Sequence, residues 1–131
     1  MTVAEAQRAV VGCLALLGVT PSAGLNPAGY AGVRLGTETA TFQFVATTGA
    51  LICRAHIYRF RGPAPDELIE RLSTRLAQNP VASGGGALTL DRDVGLLSFS
   101  REYQREPTPA ELLGHLKQLA QAAVMFDELL E

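Results

Sequence analysis

Four side chains in this sequence carry the widest chemical repertoire: His56, His115, Cys13 and Cys53. A histidine does acid–base or nucleophile-activating work beside a Ser or Cys, and binds metal beside further ligands. Neither histidine has a Ser or Cys neighbour in a nucleophile motif or a second ligand at metal spacing; His56 lies in LICRAHIYRF and His115 in ELLGHLKQL. Cys13 and Cys53 are single thiols, with no CxxC and no His at ligand spacing, which argues against a structural zinc site. They read instead as buried, reduced and unpaired small hydrophobes, suited to a reducing cytosol. Asp91 and Asp93 flank Arg92 in a turn. Hydrogen bonds to nearby backbone account for them, and a calcium loop needs more oxygen ligands at defined spacing. Ser83-Gly84-Gly85-Gly86 is a flexible connection rather than a phosphate loop: no Lys-Ser or Lys-Thr follows, and Ala87-Leu88-Thr89-Leu90 reads as a strand. Arg101, Glu102, Arg105 and Glu106 form a mixed-sign cluster that fits a solvated edge. The residues predict no catalytic centre, no metal and no cofactor, so the chain is not expected to be an enzyme.

If chemistry does not organise the chain, a hairpin does. Thr39 to Arg61 reads TATFQFVATTGALICRAHIYRFR, two β-rich runs separated by Thr47-Thr48-Gly49. Ala40, Phe42, Phe44 and Ala46 alternate with Thr39, Thr41, Gln43 and Val45, the period of a strand with one buried face. In the second run Leu51, Cys53, Ala55 and Ile57 share the apolar face, leaving Ile52, Arg54, His56, Tyr58 and Phe60 on the other. These five are the candidate binding residues: apolar and aromatic groups with polar handles, suited to a peptide or partner. The alternative is that the sheet twists and a helix or a neighbouring subunit simply covers them.

Other elements must cover the hairpin, because a two-stranded sheet is marginal alone. Thr2 and Glu5 stand at capping-box spacing before a stripe of Val3, Ala6, Val10, Cys13, Leu14 and Leu17, with Gly18 as the stop and Pro21 beyond it. Tyr30 to Leu35 reads as a strand joined to the hairpin by Gly36-Thr37-Glu38. Pro65, Asp66 and Glu67 open a second helix, striped by Leu68, Ile69, Leu72 and Leu76 and ended by Asn79-Pro80. Ala87 to Leu90, a turn, and Leu96 to Tyr103 form a second hairpin. Thr108-Pro109-Ala110-Glu111 is the clearest start signal, and Leu112, Leu116, Leu119, Ala123, Phe126 and Leu130 recur behind it. The order α-β-β-β-α-β-β-α predicts an α+β fold, an antiparallel five-stranded sheet packed by three helices near 3–17, 65–78 and 109–130.

Length and charge bound the rest. A chain of 131 residues fits a single domain, 1–131, with a core of its own. A net charge of −2 without a Lys/Arg cluster argues against nucleic acid and against an anionic membrane surface. The apolar run from Ala9 to Val19 is broken by Gly12 and Gly18, too short to cross a bilayer and without the charged flank of a signal peptide. The expectation is a cytoplasmic protein.

The pattern resembles the class I type III secretion chaperones of Gram-negative bacteria, the family of the Tir chaperone CesT. The resemblance rests on Leu16-Leu17-Gly18 closing the first helix, the apolar central hairpin, and Leu76 through Asn79 closing the second helix. It extends to LTLDRDVGLLSFSRE and to Thr108-Pro109-Ala110-Glu111-Leu112 opening a helix that ends near Phe126 and Leu130. It implies a small cytosolic homodimer without enzymatic activity, whose partner is a non-globular segment of a secreted effector kept competent for export. The chain also resembles the YbjN-like bacterial proteins, which implies as the alternative a regulatory or small-ligand-binding domain without a secretion role.

Overall fold

The computed structural model describes residues 1–19, 23–63, 65–78 and 85–130, with side chains in the last helix described as far as Phe126. Pro21, Asn79-Pro80, Ser83, Gly84 and the Leu130 side chain, each given a role above, lie outside the described residues. The elements run α1 (Val3–Leu16), β1 (Tyr30–Leu35), β2 (Glu38–Val45), β3 (Ala50–Arg59), α2 (Asp66–Gln78), β4 (Ala87–Asp91), β5 (Leu96–Tyr103) and α3 (Pro109–Leu130). The strands form one antiparallel sheet in the order β1-β2-β3-β5-β4, so β3 lies at its centre and β1 and β4 are its edges. The fold is the α+β arrangement expected from the sequence.

Local signals act where the sequence places them. Thr2 Oγ1 accepts from the Glu5 amide (3.2 Å) and Glu5 Oε1 from the Thr2 amide (2.9 Å), which satisfies two of the free donors at the start of α1. At the other end Gly18 takes φ +83°, its amide donates to Ala15 O, and the Val19 amide donates to Leu14 O (2.9 Å). This pair of bonds needs a left-handed residue, which only glycine adopts without cost. Thr108 Oγ1 caps α3 by accepting from the Glu111 amide at 3.1 Å.

The core lies on one face of the sheet. Ala40, Phe42, Leu51, Cys53, Ala55, Leu97 and Phe99 meet Ala6, Ala9, Val10, Cys13 and Leu14 of α1 and Leu112, Leu116, Leu119, Ala123 and Phe126 of α3. Phe99 and Phe126 pack edge to face with centroids 5.0 Å apart. Helix α2 joins this core through buried Leu72 and half-buried Leu68, Ile69 and Leu76. No side chain of the opposite face of β2, β3 or β5 belongs to the core cluster.

Candidate functional site

The central strand sets the geometry. Register places Ile52 beside Gln43 and Glu102, Arg54 beside Thr41 and Ser100, and His56 beside Ser98, all facing away from the helices. Two strands away, Tyr30, Gly32 and Arg34 of β1 continue these rows through Gln43, Thr41 and Thr39. This face is polar and internally bonded. Arg54 Nη1 donates to Gln43 Oε1 (2.8 Å), Thr41 Oγ1 and His56 Nε2 bond at 3.2 Å, and the Thr89 and Ser98 hydroxyls bond at 3.0 Å. Ser98 is 2% exposed, and the Thr89 bond satisfies its hydroxyl where water cannot. Burial first, then the charges of Arg59 and Arg54, lower the His56 pKa. Near neutral pH the ring is therefore an uncharged hydrogen-bonding group.

The strand does not keep one face to its end. Between His56 and Tyr58 the register with β5 slips, leaving Ile57 as an extra residue. A bulge of this kind inverts the alternation beyond it. Tyr58 therefore stands opposite Leu97, a core residue, and Phe60 packs against the core cluster. Their rings meet edge to face with centroids 5.0 Å apart. The expectation that Ile52, Arg54, His56, Tyr58 and Phe60 share one face is corrected accordingly. Ile52, Arg54 and His56 belong to the polar face, while Tyr58 and Phe60 lie past the bulge on the helix side, where Tyr58 stays 43% exposed.

Sequence reasoning missed the company these residues keep. Gln43, Thr41 and Ser98 form the framework of the polar face; alternation with Phe42 and Phe44 puts Thr41 and Gln43 there, but their bonds to His56 and Arg54 come from cross-strand register. A second polar pair also went unread: the Tyr103 hydroxyl bonds His115 Nδ1 at 2.7 Å, tying β5 to α3, while Arg101 lies 5.8 Å from the Tyr103 ring centroid.

Neither cysteine is poised as a nucleophile. Both cysteines are buried and free, and burial pushes each thiol up to about 11, so the reactive thiolate is scarce at neutral pH. Among the described residues, no group of three or more His, Cys, Asp or Glu side chains could hold a metal ion. Among the same residues, no helix is long and apolar enough to cross a membrane.

No protein-family model matches the chain, and no curated protein matches it in sequence. Solved structures do match in fold. The ExsC–ExsE complex aligns with a TM-score of 0.74 at 16% identity, covering 97% of this chain and 94% of the matched one. The HopA1–SchA chaperone–effector complex aligns at 0.73 and 12% identity, covering 96% and 95%. The Yersinia pestis type III secretion chaperone SycH, in complex with a stable fragment of YscM2, aligns at 0.62 and 17% identity, covering 92% and 98%. This chain has the fold of the type III secretion chaperones. Within the chaperone fold, the central strand of this chain presents the polar face on one side of its bulge and the Tyr58–Phe60 pair on the other.

Proposed function

We propose that the chain is a chaperone-like, non-enzymatic protein that binds a non-globular segment of a secreted effector and holds it for type III export. The observation that carries this reading is the near full-length likeness to the HopA1–SchA chaperone–effector complex. Two features of the molecule support it. The sheet ends in strands β1 and β4; among the described residues no strand pairs with their outer edges, whose backbone groups can pair with an extended client, giving tolerance of sequence. The candidate client residues then supply side-chain contacts in two patches: Ile52, Arg54 and His56 on the polar face, Tyr58 and Phe60 past the bulge.

A homodimer belongs to the same proposal. The helices carry more apolar surface than this sheet covers: Leu16 is 56% exposed, and Leu68, Ile69, Leu76 and Leu113 are only half-buried. A two-fold pair buries the surplus and duplicates the client surface, in a single-domain protein that works in the cytoplasm.

The test is affinity purification of the tagged chain from its native host, followed by mass spectrometry. A secreted protein is expected in near-equal amount with the chain, and strongly reduced with an Ile52→Ala, Tyr58→Ala variant of unchanged melting temperature. Phe60 is left intact in that variant because its side chain packs on the core. A protein recovered without any secreted partner contradicts the reading.

A further inference from the structure

The helix-free face of the sheet is more basic than the chain that bears it. The whole chain carries −2, yet Arg34 on the edge strand β1 and Arg54 and Arg59 on the central strand β3 stand on this face, with neutral His56 among them. Glu38, Thr39, His56, Tyr58, Arg59 and Leu96 are among the residues lining one shallow depression of about 250 Å³, in which Glu38 takes a hydrogen bond from the Thr37 hydroxyl. Among the described residues, side-chain ion pairs join Arg8 to Glu106 and Arg92 to Asp66, and none involves the three arginines of this face. The carboxylates in the same rows lie toward β5 and the β4 edge. Glu102 accepts from Gln104 and Asp91 from the Asp93 amide, so both are engaged elsewhere.

We propose that this face takes the carboxylate side chains of an extended, acidic client segment between Arg34, Arg54 and Arg59. The proposal rests on the client-binding reading above and gives that client a chemistry. Guanidinium groups match carboxylates in a planar, two-bonded geometry that an ammonium cannot offer. Spacing selects a polypeptide. Same-face residues of a strand recur about every 6.8 Å, so an extended segment laid along β3 can set one carboxylate at Arg54 and its next same-face residue over His56, an uncharged hydrogen-bonding partner. The positive field of Arg54 and Arg59 is already felt within the molecule, since both charges act with burial to lower the His56 pKa. Thr39, Thr41 and Ser100 stand in the same rows, able to bond the client backbone or bridging water.

The test measures fluorescence anisotropy of two labelled peptides, one alternating glutamate with valine and one alternating lysine with valine. The acidic peptide is expected to bind the intact chain at least about tenfold tighter at low salt, with the gap shrinking as salt is raised. Arg34→Gln with Arg59→Gln, two exposed positions, is expected to remove the gap while melting temperature and oligomeric state stay unchanged. Equal binding of both peptides, or no binding of either, overturns the acidic-client inference. Purification of a secreted partner from the host would still stand in that case, so the two readings fail separately. A change of oligomeric state in the double variant also overturns the inference, and assigns the face to contact between copies of the chain.

Discussion

Gly12 of α1 lies directly beneath Pro109 of α3: a Cβ on Gly12 would stand 2.5 Å from Pro109 Cγ. The first turn of α3 meets α1 here, and the missing side chain lets them approach. Alanine normally stabilises a helix interior by about 1 kcal/mol relative to glycine. At Gly12 the proline ring cannot retreat as a flexible chain would, so overpacking of about 1–3 kcal/mol outweighs that gain. Gly114 on α3 has open space around its Cβ position, and Gly114→Ala should gain up to about 1 kcal/mol. Urea midpoints of Gly12→Ala and Gly114→Ala are therefore expected to move in opposite directions from the parent.

The inner stripe of α3 supplies a second prediction. Leu116 and Leu119 are fully buried, whereas Lys117 between them is exposed. Leu116→Ala and Leu119→Ala should each cost about 2–5 kcal/mol, as cavities at buried leucines do. Lys117→Ala should cost under about 0.5 kcal/mol. Chemical denaturation of the three variants checks the ordering.

Thiol reactivity tests the packing between α1 and β3. With both thiols pushed up to about 11 by burial, Cys13 and Cys53 should react with a disulfide reagent far more slowly in the folded chain than in urea, even near pH 8. Rapid labelling of either thiol under native conditions would contradict the core described above.

Both histidines couple stability to pH in the same direction. Burial lowers the pKa of His56, with Arg59 and Arg54 adding to it, and burial with Arg101 lowers that of His115 against an opposing Glu111. A folded-state pKa below the ordinary 6.5 means that the unfolded chain takes up protons first, so stability present above pH 6.5 falls as pH drops through the folded values. The urea midpoint should decrease on going from pH 7.5 to 5.5, and His56→Gln with His115→Gln should flatten that slope. Lowered Glu5 and Glu106 act in the same direction at lower pH, below the ordinary carboxylate value of 4.5.

The fold was legible in the sequence because its signals are local. Thr2 and Thr108 mark helix starts, Gly18 a helix end, and Phe42, Leu51, Cys53 and Phe99 keep the strand period that sorts core from surface. The site was legible only as far as His56. Alternation assigns Tyr58 and Phe60 to the face of His56, and no residue type near Ile57 announces the slip. The bulge arises from how β3 pairs with β5, some forty residues away in sequence, and a period counted along one strand cannot register it. Tyr103 and His115 pair across elements for the same reason: their distance is set by the docking of α3, not by spacing.

Export is the claim on which the account turns, and the proteins released by the native host measure it most directly. Deleting the gene and quantifying secreted proteins by mass spectrometry is predicted to remove at least one protein from the medium while its transcript stays constant. Complementation with the parent chain should restore it, and complementation with the Ile52→Ala, Tyr58→Ala variant should not. An unchanged set of secreted proteins in the deletion strain would contradict the account.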